Sequence, residues 1–190
     1  MRKLICSLVV ASSLFAWGGM GHHYQGINGN CANYNQMINN LNSSQKYDLT
    51  ERDKNSLLYM YQEEKIARDV YITLGNKWNL RIFKNISQSE QRHMDAVKAI
   101  LNKYNIPIPN IDEVGVFANN DFQNLYNELV NKGLKSQKDA LEVGKQIEVL
   151  DIKDLKERME NTTPDIEKVF SFLEMGSEHH LNAFTRWLGY

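Results

Sequence analysis

The sequence predicts an all-α fold in which four long helices pack as a bundle. Two observations predict it. Apolar residues recur every three or four positions through four long segments, which is typical of helices that bury one face. The connections between these segments are short, long and short in chain order, as in two antiparallel pairs joined by one crossover. At 190 residues, 42% of them apolar, the chain can form the core of one domain.

The ends of the helices carry their own signals. Thr50 is the predicted N-cap of the first helix, with Asp53 three residues later and Gly75 expected to help end it. The fourth helix begins with Thr163 and Pro164, a cap followed by proline at the first helical position. The predicted helices cover residues 51–76, 82–104, 136–160 and the segment from 163 onwards.

The connections predict the topology. A few residues around Asn79 join helices one and two, and residues 161–163 join helices three and four, so each pair is expected to be antiparallel. Residues 105–135 separate the pairs and contain a short amphipathic segment, 122–130. The predicted fold is therefore a four-helix bundle whose long crossover contains a short extra helix.

The composition excludes several functional classes. With 22 basic and 23 acidic residues the net charge is −1, so there is no basic excess with which to follow nucleic-acid phosphates. Two cysteines cannot build a disulfide scaffold or a four-thiolate metal site. Eleven glycines and three prolines argue against low-complexity disorder.

The first segment has the pattern of a targeting signal. Residues 1–18 begin with a basic Met-Arg-Lys, continue with an apolar run from Leu4 to Trp17 and end at the small residue Gly18, as secretory signal peptides do. The alternative is an uncleaved membrane anchor, but a transmembrane helix needs about 20 residues. We therefore expect export to the periplasm or the extracellular space, with no stable membrane insertion after cleavage.

Residues 19–49 are expected to form a flexible leader, because they are rich in Gly, Asn and Ser and lack a sustained apolar period. We interpret His22 and His23 as solvated histidines, with weak metal scavenging as the alternative. Signal cleavage would leave Cys31 as a lone cysteine, either free or paired with another chain. Residues 50–190 are expected to form the helical domain.

Each predicted helix places polar side chains at positions where its period requires an apolar residue. All of them lie near the middle of their helices, so antiparallel packing would bring them to a similar height in the core. They are Glu64 in the first helix, Glu90 and His93 in the second, Glu148 and Asp151 in the third, and His180 in the fourth.

This pattern predicts a dinuclear metal site. Four carboxylates buried together are very unfavourable without compensation, and two histidines cannot neutralise them. Two divalent cations can, because carboxylates and imidazoles are their natural ligands. Glu90 and His93 are three residues apart on one helix face, so both can reach the same ion.

For any one of these residues taken alone, two other interpretations are open. The residue could be a core polar group whose hydrogen bonds are satisfied, or the helix could be assigned one residue out of phase. Tyr71 is interpreted as a core aromatic residue rather than a redox-active one. The residues that fall off the central stripes are expected on solvated faces; they are Glu63, Glu142, Glu178 and His179.

Four stretches also carry a resemblance to known proteins. They are residues 63–71 (EEKIARDVY), 89–96 (SEQRHMDA), 147–152 (IEVLDI) with Leu155, and 177–184. They resemble a prokaryotic ferritin-like family catalogued as a domain of unknown function, related to the rubrerythrin and ferritin superfamily of di-iron carboxylate proteins. Helix one is also similar to its counterpart in rubrerythrins, with a bridging Glu followed by Ala three residues on and Tyr seven residues on. That alignment selects Glu64 rather than Glu63.

The resemblance implies two divalent metal ions, iron first with manganese or zinc as alternatives, that react with dioxygen or peroxide. It assigns bridging roles to Glu64 and Glu90, and terminal ligation to a further set: His93, Glu148, Asp151 and His180. Helix four of the superfamily carries Glu-x-x-His, but Ser177 stands here in the place of that Glu. Asp151, one turn beyond Glu148, is the candidate replacement.

Three functional classes remain open on the sequence. They are a dinuclear oxidoreductase of the ferroxidase or peroxidase type, a metal-binding or storage protein without turnover, and a metal-free helical interaction module. No Cys-x-x-Cys pair is present, so electrons would come from another donor or from the bound metal itself. The expected partners are metal ions and dioxygen or peroxide, without nucleic acid, and a homodimer stays open.

Overall fold

A computed structural model describes residues 28–109 and 111–189. Across this part of the chain there are six α-helices and no β-strand, which confirms the all-α prediction. The helices are α1 (Asn28–Ser43), α2 (Glu51–Trp78), α3 (Arg81–Lys103), α4 (Asn120–Gly133), α5 (Gln137–Met159) and α6 (Pro164–Leu188).

The predicted signal peptide, residues 1–18, lies outside the described residues, and so do His22 and His23. Among the helices that are described, none combines the length and apolar character needed to cross a membrane.

Helix α1 lies in the segment that was expected to be a flexible leader. Met37 and Leu41, one turn apart, are buried in an apolar cluster that also holds side chains of α3 and α6. Tyr34 and Ile38 pack against the same cluster, but the segment is otherwise rich in Asn, and an isolated helix of this length is marginal in water. The contact with the rest of the domain therefore accounts for α1, and local propensity does not.

The N-terminus of α2 is capped as predicted, but its C-terminus extends further. The Thr50 hydroxyl accepts from the Asp53 N–H, and the Asp53 carboxylate accepts from the Thr50 N–H. The helix passes through Gly75, whose Cα faces Phe83 so closely that a Cβ would lie 3.1 Å from the Phe83 Cβ. It ends at Asn79, which takes the left-handed conformation with φ 53°. Gly75 is thus a packing residue rather than a helix stop.

Four of the helices contact one another in a closed order, since α2 and α6 each pack against both α3 and α5. At one end, Arg52 of α2 donates to the carbonyls of Glu157 and Glu160 at the end of α5. At the same level Tyr104, just after α3, donates to Asp165 in the first turn of α6. Sequence-adjacent helices within α2–α3 and α5–α6 are joined by short turns, so every contacting pair in this set runs antiparallel.

Helix α4 lies in the long connection between α3 and α5, where the sequence predicted a short amphipathic segment, 122–130. The helix begins before that segment, where Asn119 caps it by accepting from the Asp121 N–H, and it continues to Gly133. It packs against α2 and α5, with Phe122 and Leu129 buried.

The core consists of two apolar clusters at different heights along the helices. One lies toward the C-terminus of α2 and the N-termini of α3 and α5, and includes Tyr71 and Phe83. The other lies toward the opposite ends and includes Met60, Ile100 and Phe170. The polar residues predicted for the metal site fall between these two clusters on each helix, so the fold places them in a belt at mid-height.

Asp165 gives a test of the packing between α3 and α6. Burial raises the pKa of Asp165, but hydrogen bonds from Thr163, Tyr104 and Lys103 outweigh it and hold that pKa below its usual range. We expect Asp165→Asn to lose about 1–3 kcal/mol of the free energy of unfolding at pH 7. A depressed pKa stabilises the fold above the unfolded value of about 3.9, so the loss should shrink as the pH falls below about 4.

The measurement is urea unfolding of both proteins from pH 7 to pH 3. Asp121→Asn is the matched control, because Asp121 is an exposed acid in the first turn of α4. A difference between Asp165→Asn and the parent protein that stays constant over this pH range would contradict the account.

Candidate metal centre

All six residues predicted as metal ligands are buried in the belt between the two apolar clusters. Glu64 and Glu90 are each 1% exposed, and the most exposed of the six, His180, is 8% exposed. They project from four different helices, α2, α3, α5 and α6. The mid-helix positions therefore do converge, as the apolar period predicted, whereas their role as ligands stays a prediction.

The first group of ligand-type side chains joins α2 and α3. His93 Nδ1 lies 3.1 Å from Glu64 Oε2 and 2.8 Å from Glu90 Oε2. Glu90 and His93 come from consecutive turns of one helix face, as their spacing predicted. One atom from each of the three residues lies within 4.8 Å of the others, so this group could hold a metal ion.

The second group joins α3, α5 and α6. His180 Nδ1 lies 2.8 Å from Glu90 Oε1 and 3.5 Å from Glu148 Oε2. These three residues also present atoms within 4.8 Å of one another. Glu90 belongs to both groups and turns one oxygen toward each histidine, so it occupies the position between two potential ions.

The two histidines lie close together as a result. The centroids of the His93 and His180 rings are 5.5 Å apart, with 27° between the ring planes. Two imidazoles and three carboxylates thus share one small buried volume, which is a nitrogen and oxygen donor set suited to divalent transition metals.

Asp151 lies beside these groups without belonging to either. Its Oδ2 accepts a hydrogen bond of 2.6 Å from the Ser177 hydroxyl, and its Oδ1 has no hydrogen-bond partner. Ser177 is the residue that stands where the resemblance expected a Glu on the last helix. The hydrogen bond between Ser177 and Asp151 thus holds a carboxylate of α5 against this position of α6.

Tyr71 positions one of the carboxylates. Its hydroxyl donates to Glu148 Oε1 at 2.6 Å, which leaves Glu148 Oε2 on the side of His180. The Tyr71 ring packs against Phe83 and Phe184, with centroid distances of 5.9 and 5.4 Å. Tyr71 is thus the core residue that the sequence predicted, and it also orients Glu148, which the sequence did not show.

The belt leaves ligand-type atoms without hydrogen-bond partners, which is a test of whether these residues fit a metal. A buried polar atom without a partner is costly and rare. Within the described residues the belt holds several: Glu64 Oε1, Glu90 Oε1, Asp151 Oδ1 and His180 Nδ1. His180 Nδ1 and Glu90 Oε1 approach within 2.8 Å, yet they are not aligned as a hydrogen bond. Atoms of this kind fit ligands of a shared cation.

Burial and neighbouring charges shift the pKa values of the glutamates in the belt. Burial is the main reason that the pKa of Glu64 is raised to about 7, against the opposing effect of His93. Burial also acts to raise the pKa of Glu90, but His180 and His93 outweigh it and hold this pKa below its usual range. Burial followed by the charge of Glu90 raises the pKa of Glu148.

The two histidines are the positive groups that face these carboxylates. Burial lowers the pKa of His180, but Glu90 and Glu148 raise it to about 9 overall. Burial likewise opposes the charge on His93, and Glu64 with Glu90 overcomes it, so the pKa of His93 is well above its usual value. Divalent ions would take over this neutralising role, since metal ligation displaces protons from histidine.

One glycine shapes the outer side of the first group. A Cβ added to Gly176 of α6 would lie 2.4 Å from His93 Nε2, so the imidazole packs directly on the backbone of α6. Only glycine leaves room for the ring in this position. The contact of Gly176 with His93 was not predictable from one helix alone, because it depends on how α6 packs against α3.

Glu63 corrects a prediction. It was expected on a solvated face, but it is 6% exposed and its Oε2 has no hydrogen-bond partner. The reason is that α2 packs against α3, α4 and α5, so its buried arc is wider than the stripe that one or two neighbours would cover. Glu178 and His179 are exposed, in agreement with the sequence.

The fold and the belt define a class, a helical domain with two buried Glu/His groups that share one carboxylate. Residues 53–189, which include both groups, match the family described as "Uncharacterized protein domain (DUF2202)", and the chain belongs to this family. The chain is 52% identical over 154 residues to the "Uncharacterized protein MJ0754" of Methanocaldococcus jannaschii. This match covers 80% of this chain and 83% of that protein.

Two solved structures are similar to this fold. The crystal structure of the hypothetical protein MJ0754 from Methanococcus jannaschii has a TM-score of 0.75 and 53% identity, and the match covers 77% of this chain and 85% of that one. A DUF305 fragment from Deinococcus radiodurans has a TM-score of 0.57 and 14% identity, over 75% of this chain and 99% of that one. At that identity the second similarity concerns the fold alone.

Gly176→Ala tests the contact between α6 and His93. Alanine in place of a helical glycine normally stabilises a protein by up to about 1 kcal/mol. Here we expect the opposite, a loss of about 1–3 kcal/mol, because the added methyl group overlaps the His93 ring.

The free energy of unfolding in urea measures the effect. Asn182→Ala, at an exposed position of the same helix, serves as the control and should leave stability unchanged or slightly higher. If Gly176→Ala were as stable as the parent protein, the close packing of His93 on α6 would be refuted.

Proposed function

We propose that the protein is an exported ferritin-like metal-binding protein with a dinuclear carboxylate and histidine site, which acts as a ferroxidase or as a reductase of dioxygen or peroxide. The observation that carries this proposal is the pair of buried Glu/His groups that share Glu90 and contain unpartnered ligand atoms. Export rests on the signal-peptide pattern of residues 1–18.

The ferritin-like part of the proposal rests on the helices that supply the site. Helices α2, α3, α5 and α6 contact one another in two antiparallel pairs, and the long connection between the pairs contains α4. We propose that these four form a four-helix bundle with one crossover, as in the ferritin-like proteins that the sequence resembles. In that arrangement ligands project inward from all four helices, as the belt residues do here.

The residues divide naturally between two ions. Glu64 and His93 would hold one ion, Glu148 and His180 would hold the other, and Glu90 would offer one oxygen to each. Two divalent ions, with iron as the first choice and manganese or zinc as alternatives, supply redox or Lewis-acid chemistry to dioxygen or peroxide when bound. The absence of a soft thiolate in the set favours the harder metals among these.

The protein's own contribution is orientation and exclusion of water. Tyr71 fixes Glu148 through its 2.6 Å hydrogen bond, and Gly176 lets His93 sit against α6. Apolar clusters above and below the belt keep bulk water from the donor atoms, which strengthens every electrostatic interaction there. Asp151, held by Ser177, is available as a further carboxylate next to the second group.

Anaerobic titration with ferrous iron followed by exposure to air tests the proposal. We expect two equivalents of metal per chain and oxygen uptake that accompanies the oxidation of the iron. Glu90→Gln should lower the stoichiometry to one equivalent or less, with at least a tenfold loss of affinity, because it removes the shared ligand.

Glu128→Gln is the control, since Glu128 is an exposed acid on α4, away from the belt. Two bound equivalents without oxygen uptake would indicate a storage or binding protein instead. Absence of stoichiometric metal, with Glu90→Gln as stable as the parent protein, would reject the metal site and leave the helical interaction module.

A further inference from the structure

A small cleft lies between α3 and α6 on the outer side of the first Glu/His group, and we call it the His93 cleft. The residues that line it include Ser89, Arg92, His93, Phe172, Met175 and Gly176. Its volume is about 30 Å³. A water-sized sphere needs about 10–15 Å³, so the cleft has room for about two of them. Only a very small molecule or ion fits this space.

His93 supplies a buried polar atom to the cleft. The side chain is 2% exposed, and its Nδ1 is directed at Glu64 and Glu90. Nε2 and Cε1 are the ring atoms next to Gly176, which also lines the cleft, so this edge of the ring borders it. A histidine that binds a metal through one nitrogen donates its other N–H to an acceptor. The Nε2–H group is therefore available to a ligand in the cleft.

The other polar groups of the cleft are donors too. Arg92 brings a guanidinium that stays positively charged, and Ser89, one turn earlier on α3, brings a hydroxyl. Within the described residues no acidic side chain lines the cleft. Asp95, one turn further along α3, accepts from Gln91 Nε2 at 3.0 Å. A guanidinium, an imidazole N–H and a hydroxyl together suit an anion, which accepts from all three.

Helix α1 supports the apolar wall of the cleft. The Phe172 ring stands edge-on to His93, with 5.8 Å between centroids and 79° between planes. Tyr34 of α1 contacts Phe172 at a centroid distance of 5.9 Å. Burial, followed by the charge of Asp95, raises the pKa of Tyr34, and the charge of Arg92 opposes this increase. The docking of α1 therefore helps to keep Phe172 in place and the cleft small.

The charge of the belt decides when an anion is welcome in the cleft. Without metal the positive charges of the two groups are at most two, on His93 and His180. Two bound divalent ions would bring four positive charges and displace the histidine protons, so the belt would become more positive by about two charges. An anion beside His93 is therefore favoured by metal binding, and by linkage it favours metal binding in return.

We propose that the His93 cleft binds a small monovalent anion of halide size, which accepts from His93 Nε2 and Arg92 and strengthens metal binding at the first Glu/His group. This rests on the proposed function, because the additional positive charge comes from the bound metal. The apolar wall formed by Phe172 and Met175 excludes larger anions.

Two competing explanations are a water molecule in the cleft and an anion that binds the metal directly. Water would leave the His93 signal unresponsive to added anions. Direct ligation would change the coordination sphere of the metal and would not depend on Arg92. Bromide separates both explanations from the proposal, because it is close to the size limit of the cleft.

The test uses the full chain with ¹⁵N-labelled histidine, loaded with Zn²⁺, and NMR spectroscopy of the imidazole N–H groups. Sodium bromide is titrated at an ionic strength held constant with sodium sulfate, whose anion is too large for the cleft. We expect a saturable shift of the His93 Nε2–H signal, which is identified by its loss in His93→Gln. A His93 signal that does not move with bromide would overturn the proposal.

Variants of the cleft locate the anion. Arg92→Gln should weaken bromide binding about tenfold, because a charged hydrogen-bond donor is lost. Ser89→Leu should abolish the shift, since its side chain fills the cleft. Arg81→Gln is the matched control, because Arg81 is exposed at the start of α3, about three turns from Arg92. If both cleft variants bound bromide like the parent protein, the proposed position would be wrong.

The metal-free protein and the Co²⁺-loaded protein complete the test. Bromide should bind about tenfold more weakly to the metal-free protein, and equal affinity would refute the linkage. Bromide should leave the visible absorption of bound Co²⁺ nearly unchanged, whereas a new ligand-field band with the same bromide dependence would show direct ligation and overturn the cleft site.

The zinc content distinguishes failure of the proposed function from failure of this inference. A parent protein that binds no stoichiometric Zn²⁺ would reject the metal centre, and the anion site with it. Two bound equivalents of Zn²⁺ without any bromide response would reject the anion site alone.

Discussion

The burial of acids at mid-height in an apolar core is the constraint on which the rest of the structure depends. Glu90 lies within reach of both Glu64 and Glu148, and at exposures of 1–2% each charge raises the cost of the next. The fold meets this cost in part with His93 and His180, which lie against the carboxylates. What remains is a set of ligand-type atoms without hydrogen-bond partners, and these define the chemistry that the domain can support.

The surrounding structure holds these side chains in place. Each helix contributes apolar residues above and below the belt, so the two clusters fix the height of the belt along the helices. Tyr71 orients the Glu148 carboxylate, and Gly176 allows the His93 imidazole to pack against α6. At the end of the domain that holds the N-termini of α2 and α6, Thr50 and Asp53 cap α2, and Asp165 of α6 accepts a hydrogen bond from Tyr104. Helix ends fixed in this way limit sliding between helices, which would move donors out of reach of each other.

The helices and most of the belt were predictable because they follow from local periodicity. Glu90 and His93 interrupt an apolar stripe at helical spacing, and the short turns near Asn79 and 161–163 constrain how the helices pair. Glu63 was not predictable in this way, since its burial depends on a third helix packing against α2. Helix α1 was not predicted for a similar reason, because the helix is stabilised by tertiary contacts of its apolar residues rather than by local propensity.

The Ser177–Asp151 pair lies between these cases, since the sequence analysis named both residues but only the structure shows that they form a hydrogen bond with each other.

Anomalous X-ray diffraction from crystals loaded anaerobically with ferrous iron is the most direct test of the proposed metal centre. We predict two iron peaks in the belt. One should lie beside Glu64 and His93 and the other beside Glu148 and His180, with Glu90 between them. A belt without anomalous density, with the metal bound only at the surface, would contradict it.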